Sequence, residues 1–420
     1  MSSIELFHQI GDEIERRWLA ANYSEYDFPA IAKKALEEFD LPSKTTPWEA
    51  LEWALSVREL PTQRDLHANF AQPPVTLYMA PRFHIDIYFW FNSTTSLHQH
   101  AFSGAFQVFE GSSLHSWYEF EREEAVNLFT ETGKLNLKAC QILEKGMTQE
   151  IWHGRRYIHS LFHLDEPSTT IVVRTHRSPL ELPQYNYHKP GLAIDPFYTD
   201  DTSVKKRQIV MAVLQAKRHD ADDLIAKLLD ESDFQTSFSL LSQLRNVLNN
   251  DQIEQAFGLD TGKQRFERFL EIVEERHAPT AAILRPLFER DDLQNELAGK
   301  RRFITDPEHR FLFALLLNID DREHILDLIR QRYPDEDAVE KVLDWLFDLS
   351  QTRVLGADTS VLGFDLGAAE MFAIEGLLRG KKDDEIAAEF AAESAGADPE
   401  AIHKALQTVL DATTLRPLLT

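Results

Sequence analysis

Two histidines separated by one residue, His98 and His100, are the residues whose types and spacing point most directly to chemistry. On a β-strand, residues two positions apart project from the same face, so these two imidazoles would lie side by side. Imidazole is a common ligand of divalent transition metals. A second group of histidines follows later, at His153, His159 and His163. The sequence therefore predicts a metal site that combines the histidine pair with one or more of the later histidines.

The residues around these histidines resemble two motifs of the cupin superfamily. The pair with Gly111 after it is similar to the first cupin motif, and the stretch 154–159 is similar to the second. Residues 101–104 hold no metal-binding glutamate, and the second stretch lacks the usual proline. A histidine pair without the glutamate resembles the thiol dioxygenase branch, such as cysteine dioxygenase. That resemblance implies ferrous iron held by three histidines. They are His98, His100 and His159, with His163 or His153 as alternatives to His159.

Three neutral imidazoles would leave the charge of a divalent metal uncompensated and several coordination positions open. Such a site favours a small anionic substrate beside dioxygen. Iron is the first expectation, and manganese, nickel and zinc stay open because histidine binds them as well. Guanidinium groups pair bidentately with carboxylates, which makes arginines candidate substrate-binding residues. These arginines are Arg82, Arg155, Arg156 and Arg174, and the candidate catalytic residues are Tyr118 and Tyr157.

Three further residues are expected to be structural. His115 and Glu119 share a strand face with Trp117 and could line the pocket, but a cross-strand pair at the surface is the favoured interpretation. His84 lies on the polar face of a predicted strand, which favours an exposed side chain. The single cysteine, Cys140, stands in a strand-like run and is expected to be buried and free of disulfides.

The period of the apolar residues changes along the chain. Residues 4–60 show helical spacing, and Thr46 followed by Pro47 is a helix start signal. Near Pro73 the period becomes two, which indicates strands. From about residue 203 the pattern is helical to the end. The expected strands lie at 75–79, 83–91, 97–100, 104–109, 114–120, 137–143, 156–164 and 169–175.

These elements predict an α+β fold, in which a cupin-like antiparallel β-barrel or jelly roll has helices before it and a large all-α domain after it. The expected parts are an N-terminal helical segment at 1–64, the barrel at 65–180, a linker at 181–202 and the helical domain at 203–420. Two stretches of that domain, about 311–355 and 372–418, are similar enough to predict an internal duplication. A paired-helix array of this kind usually offers a packing or interaction surface.

Composition excludes several classes of function. The chain of 420 residues carries a net charge of −25, which repels nucleic acid and anionic membrane surfaces. No apolar run is long enough for a membrane-spanning helix, and the N-terminus has no signal-peptide pattern. One cysteine fits a reducing compartment. We therefore expect a cytoplasmic protein that binds neither nucleic acid nor membranes.

The leading hypothesis is a mononuclear non-haem iron oxygenase, dioxygenase-like, acting on a small anionic metabolite such as a thiol or an amino-acid derivative. A metal-dependent isomerase or lyase on the same barrel is a weaker alternative. From another class, the chain could be a non-catalytic ligand-binding or scaffold protein whose helical domain binds a protein partner or a second copy of the chain. Metal content and oxygen uptake separate these hypotheses.

Overall fold

The computed structural model describes residues 3–64, 66, 71–91, 95–248, 261–353, 360–393 and 399–419. Within these residues the strands are β1 (Pro74–Met79), β2 (Phe83–Trp90), β3 (His98–His100), β4 (Gly104–Glu110), β5 (Ser113–Asn127), β6 (Thr130–Leu143), β7 (Thr148–Ile151), β8 (Gly154–His163), β9 (Ser168–Thr175), β10 (Asn186–His188) and β11 (Leu192–Ile194). The helices before the strands are α1 (Ser3–Ala20), α2 (Phe28–Phe39), α3 (Leu41–Lys44) and α4 (Pro47–Ser56). Those after them are α5 (Asp201–Gln215), α6 (Ala221–Glu231), α7 (Phe234–Leu248), α8 (Thr261–Arg276), α9 (Leu284–Lys300), α10 (Pro307–Asn318), α11 (Arg322–Arg332), α12 (Ala338–Ser350), α13 (Ala368–Leu378), α14 (Asp383–Glu393), α15 (Pro399–Asp411) and α16 (Arg416–Leu419).

The N-terminal helices form where the apolar spacing predicts them. In α1, the side chains of Phe7, Ile10 and Trp18 are buried on one face of the helix. Helix α4 begins with the expected cap, because the Thr46 hydroxyl accepts a hydrogen bond from the backbone N–H of Glu49. The buried faces of α1 and α2 share one apolar core with residues of β2, β4 and β9. These helices therefore cover one face of a sheet.

Strand β2 has both faces buried, although its alternation predicts one apolar and one polar face. Ile85 and Ile87 pack in the core that contains the N-terminal helices. Tyr88 and Trp90 belong to a different core, which also contains residues of β4, β8 and β9. His84, on the same side of the strand, is 1% exposed, so the expectation that it lies at the surface is wrong. The face of β2 that carries polar residues is therefore buried in the interior.

The strands form two antiparallel groups. Five of them form a sheet in the order β1-β2-β9-β4-β7, and the other six follow one another as β10-β11-β6-β5-β8-β3 in a closed barrel. Gly111 has φ +77° between β4 and β5, a conformation that glycine adopts without strain. An antiparallel barrel with helices before and after it confirms the predicted α+β fold class.

Several strands differ from the expectation. Strands β7, β10 and β11 are three or four residues long, too short to show a period of two. Strands β10 and β11 lie in the segment 181–202 that was expected to be a linker. The hairpin of β5 and β6 reaches from 113 to 143, and the outer part of β5 is charged and exposed. Backbone hydrogen bonds hold that part in the hairpin, so its sequence has no hydrophobic pattern that would predict a strand.

The chain divides into two compact units. Unit 1 contains Met1–Glu119, Leu137–Leu182 and Asp291–Thr420, and unit 2 contains Phe120–Asn136 and Pro183–Arg290. The helices expected to form one domain at 203–420 are thus divided between the units. In unit 1, α10 to α12 have 12, 11 and 13 residues and α13 to α15 have 11, 11 and 13. These lengths accord with the duplication, which stays a prediction, since 354–359 and 394–398 lie outside the described residues.

Within unit 1, helix α10 packs against two strands of the barrel. Every residue from Arg310 to Asn318 is buried, which is typical of a helix in a protein core. The hydroxyl of Tyr118 on β5 donates to the Asn318 carbonyl at 3.2 Å, and the hydroxyl of Ser160 on β8 donates to its amide oxygen at 3.3 Å. Cys140 is buried as expected, and its thiol lies 3.2 Å from the hydroxyl of Ser116. None of the helices in the described ranges is long and apolar enough to cross a bilayer.

The burial of β2 generates a stability prediction. We expect Ile87→Ala to lower the free energy of unfolding by about 2–5 kcal/mol, because it leaves a cavity in a closed apolar core. The matched control is Ile209→Ala, since the Ile209 side chain is 59% exposed and its truncation removes little buried surface. Urea unfolding of both variants measures the difference. Equal losses in the two variants would contradict the packing of β2 described above.

Candidate metal centre

Strand β8 brings the histidines together, because it pairs with β3 on one side and with β5 on the other. In the β3–β8 pair, His98 stands opposite His159. In the β5–β8 pair, Trp117 stands opposite His159. The register shifts between His98 and His100, so His100 lies opposite Gly154 rather than at the position expected from an unbroken ladder. The result is a convergence of three imidazoles inside the barrel.

The three imidazoles face one another through their Nε2 atoms. Nε2 of His98 lies 3.1 Å from Nε2 of His100, and Nε2 of His159 lies 3.4 Å from the same atom. Two nitrogens bound to one metal at about 2.1 Å, with an angle of about 90–110° between them, lie about 3.0–3.4 Å apart. The ligand atoms of all three histidines lie within 4.8 Å of one another. These distances match a shared coordination sphere.

The hydrogen bonds of the other ring nitrogens test whether a cation fits. Nδ1 of His98 lies 2.7 Å from the carbonyl of Ser96, so it carries the proton and Nε2 keeps a lone pair. Nδ1 of His159 lies 2.7 Å from Nε2 of His115. One proton lies between these two nitrogens. In the tautomer that has it on Nδ1 of His159, Nε2 of His159 also keeps a lone pair. A proton on Nε2 of His100 can satisfy only one of these lone pairs at a time, whereas a divalent cation satisfies all three rings.

Burial keeps these histidines neutral. Desolvation lowers the pKa of His98, and it lowers the pKa values of His100 and His159 well below the ordinary value. Neighbouring imidazoles and, for His100, the charge of Arg174 lower them further. A neutral imidazole is the form that binds a metal, so no proton has to be displaced near neutral pH. The donor set fits a divalent transition metal.

His115 is a functional candidate that the sequence analysis ranked below a surface role. The expectation of a surface pair is wrong, because its side chain is fully buried. Its ring contacts Trp117, with a centroid distance of 3.8 Å, and its Nε2 lies 2.7 Å from Nδ1 of His159. A partner of this kind holds a ligand imidazole in one tautomer and orientation. The available signal was alternation, since His115 shares a strand face with Trp117, which stands opposite His159.

Tyr157 lies beside the triad and Tyr118 does not. The Tyr157 ring is 4.6 Å from the His159 ring, and its hydroxyl is 3.5 Å from Nε2 of His115. Burial raises the pKa of Tyr157 far above its ordinary value, so the hydroxyl stays protonated. Tyr118 lies on the opposite face of β5 from His115 and donates to Asn318 of α10. Its hydroxyl has a structural partner outside the cluster of histidines.

The alternative third ligands lie elsewhere. His163 stacks on Trp90 with ring centroids 4.6 Å apart, and its Nδ1 is 2.6 Å from the hydroxyl of Ser168. His153 lies with Nδ1 2.9 Å from the hydroxyl of Ser103 and forms an ion pair with Glu181 when protonated. Neither residue is among the three histidines whose ligand atoms converge. The structure thus favours His159.

Arg174 is the candidate arginine placed nearest the triad. Its guanidinium lies 4.5 Å from the ring centroid of Phe102, which in turn contacts the His100 ring at 4.6 Å. Its Nε donates to Nε2 of the buried His84 at 3.0 Å and lies 3.8 Å from the carboxylate of Asp86. Burial raises the pKa of Asp86, but contacts with His84, Arg174 and a threonine outweigh it and leave the pKa below its ordinary value. Asp86 therefore partly balances the charge of Arg174.

The other candidate arginines point to different surroundings. Arg82 stacks on the ring of Tyr23 at 4.5 Å, and Arg156 stacks on Trp152 at 4.3 Å. Arg155 is exposed on β8. The rings that Arg82 and Arg156 contact are not those beside the triad. Arg174, on Phe102, is therefore the candidate arginine that the structure brings to the histidines.

Comparisons with known proteins give partial matches to solved structures. No family model and no curated protein sequence matches the chain. A cupin-2 domain protein from Shewanella frigidimarina is 13% identical, with 26% of this chain and 85% of that chain covered and a TM-score of 0.18. Hydroquinone 1,2-dioxygenase from Sphingomonas is 8% identical over 26% of this chain and 68% of its own, with a TM-score of 0.21. An oxalate oxidase with glycolate is 14% identical over 33% and 64%, with a TM-score of 0.19. TM-scores this low describe a local likeness, and the fold given above rests on the strands of this chain.

The contact between His115 and His159 generates a prediction about metal affinity. We expect His115→Phe to weaken binding of a divalent metal by about 10–100-fold, because Nδ1 of His159 loses the partner that orients its ring. Titration with a competing chelator measures the affinity. Tyr118→Phe is the matched control, and its affinity should stay at the wild-type value, since its hydroxyl binds Asn318. Equal weakening in both variants would show a general loss of structure instead.

The environment of His163 generates a pH prediction. Burial, reinforced by the charge of Arg301, lowers the pKa of His163 to about 3, while the unfolded chain titrates near 6.5. Between these two pH values the unfolded state therefore binds more protons than the folded state. The contribution of His163 to the free energy of unfolding is complete above pH 6.5 and is lost as the pH falls towards 3. We expect His163→Asn, which retains a partner for Ser168, to be less stable than the wild type at pH 7.5. At pH 4.5 this loss of stability should be smaller by a few kcal/mol.

Urea unfolding at the two pH values, in the presence of a chelator, tests this prediction. The quantity compared is the difference in unfolding free energy between the variant and the wild-type protein. A difference that is the same at both pH values would show that His163 titrates alike in the folded and unfolded chains.

Proposed function

We propose that this protein is a mononuclear non-haem iron oxygenase that acts on a small anionic substrate. The observation that carries the proposal is the meeting of three buried Nε2 atoms at 3.1 and 3.4 Å, of which that of His98 keeps its lone pair because Nδ1 donates to Ser96. His98, His100 and His159 would hold the metal. The set contains no carboxylate, so the charge of the metal stays uncompensated by its protein ligands.

Iron, rather than manganese, nickel or zinc, follows from the resemblance of the histidine pattern to thiol dioxygenases. When bound, ferrous iron would supply a Lewis-acidic centre and the electrons that activate dioxygen. The core beside the histidines has little room for water, since it contains the buried residues Trp90 and Phe106 of the five-stranded sheet and Tyr157 and Leu161 of β8. Exclusion of water strengthens the electrostatic contacts of a bound substrate.

Arg174 supports an anionic substrate. Its guanidinium lies one ring away from His100, where it would meet a carboxylate of the substrate bidentately. Its partner Asp86 balances one positive charge, and the metal would leave the interior positive overall. Together these charges favour a carboxylate or thiolate, as in a small thiol or an amino-acid derivative.

Tyr157 supports a role in hydrogen bonding to the substrate. Because burial keeps its hydroxyl protonated, it can donate a hydrogen bond to a substrate atom beside His159 on which negative charge develops. Tyr118 has no part in this proposal, because its hydroxyl lies on the other face of the strand.

Anaerobic reconstitution with ferrous iron, followed by metal analysis and oxygen-electrode measurements, tests the proposal. We expect one equivalent of iron in the wild-type protein, and a loss of more than tenfold in affinity in His98→Ala and His100→Ala. Oxygen uptake should appear with members of a panel of small thiols and amino-acid derivatives. Tyr118→Phe should keep both properties, whereas Tyr157→Phe should keep the iron and lose turnover by about 10²–10³-fold.

The other outcomes point to the alternatives. A protein that binds no transition metal under these conditions would be a binding or scaffold protein on a barrel. A protein that binds one equivalent of metal and converts a substrate without oxygen uptake would be an isomerase or lyase. Tight binding of zinc or manganese with rejection of iron would overturn the metal assignment.

A further inference from the structure

A cavity of about 660 Å³ opens in unit 1 on the side of the sheet that the N-terminal helices cover. Its walls come from the start of α4, the turn after β4, the turn between β8 and β9, and the residues around the start of α10. Thr169, at the start of β9, pairs with Phe89 and Glu110 and lies on the face of β9 that carries Ile171 and Val173. That face is opposite to the one that carries Arg174. The volume is within the range of small-molecule sites.

The charged side chains in the wall favour a cation. Glu110, Asp165 and Glu166 line the cavity together with one cation, Arg310. Arg310 is already engaged, because it donates to the carbonyls of Ile304 and Leu164 and binds Glu166 at 2.7 Å. The Asp165 carboxylate accepts a hydrogen bond from the Ser112 hydroxyl at 2.7 Å.

The third acid, Glu110, pairs with Lys145 at 2.8 Å. Three carboxylates at the wall thus face two cations, Arg310 and Lys145, which leaves one net negative charge, and Asp165 accepts its hydrogen bond from a hydroxyl and not from a cation. This residual negative charge attracts a cation, and the net charge of the chain acts in the same direction.

Two further side chains point to an organic cation rather than a metal ion. Trp48 lines the cavity and is 50% exposed, with its ring 5.9 Å from that of Phe89. An indole face in a cavity with carboxylates binds ammonium groups by cation–π attraction. Thr169 also lines the cavity and is 1% exposed, and its hydroxyl has no hydrogen-bond partner within the described part of the chain. A buried hydroxyl without a partner is costly, and an N–H donor from a ligand would satisfy it.

We propose that this cavity is a binding site for a small organic ammonium ion. The ammonium group lies against Trp48 and Asp165, and one of its N–H groups donates to the Thr169 hydroxyl. The site is separate from the histidine triad and independent of the metal. It thus goes beyond the proposed oxygenase function, and the oxygenase could fail its own test without affecting this site.

Calorimetric and saturation-transfer NMR titrations with n-butylammonium chloride test the proposal. The neutral isostere is n-butanol, and methyl glucoside represents a carbohydrate ligand. We expect the ammonium ion to bind at least about tenfold more tightly than either neutral probe. Trp48→Leu and Asp165→Asn should each weaken its binding by about tenfold.

Thr169→Val provides the variant that separates binding from folding. It removes the hydroxyl while keeping the shape of the side chain, so ammonium binding should weaken by about three- to tenfold while the melting temperature does not fall. Glu52→Gln, an exposed carboxylate of α4 outside the cavity, should bind as the wild type does. His98→Ala, which removes a triad ligand, should also keep wild-type ammonium binding.

Three results would overturn the proposal. One is the absence of any binding of n-butylammonium at millimolar concentrations. Another is equal binding of the ammonium ion to wild type, Asp165→Asn and Trp48→Leu. The third is tighter binding of methyl glucoside than of the ammonium ion, which would make the cavity a carbohydrate site.

Discussion

The close approach of three buried Nε2 atoms is the constraint on which the centre of this molecule depends. The proton of His98 is committed on the far side, to the carbonyl of Ser96, and His115 at 2.7 Å can hold the proton of His159 on its far side in the same way. The lone pairs of these rings then meet in a buried space. Without a cation, that arrangement leaves an acceptor unsatisfied, which costs free energy in a low-dielectric interior. The register of β3 and β5 against β8 holds the rings there regardless.

Local patterns in the sequence predict the parts of the fold that have a clear period. The helical spacing of α1 and the cap at Thr46 appear in the structure as expected, and β2 is a strand where the alternation predicts one. The histidine pair at 98 and 100 shares a site because residues two apart on a strand face the same way. In each of these cases the signal spans neighbouring residues, so it can be read without knowing what packs against the element.

The remainder depended on partners that a single sequence does not reveal. The sequence offers three histidines as the third metal ligand, and only the register of β3 against β8 shows that His159 stands opposite His98. His84 and His115 looked like surface residues because their strand faces carry polar groups, yet both faces turned out to be interior. The division of the C-terminal helices between two units is likewise set by long-range packing. For His84 and His115 the predicted strands exist, and the error concerns which face meets solvent. The short strands β7, β10 and β11 are not predicted at all.

The contact between Tyr118 and Asn318 joins residues 200 positions apart, and Leu114 and Phe162 share an apolar core with the C-terminal helices of unit 1. A ribosome releases the strands first and the helix that covers them much later. Contacts between segments so distant form slowly, and apolar faces that wait for their cover are prone to aggregate. A nascent chain of this protein thus carries bare strand faces until the C-terminal helices have been synthesised.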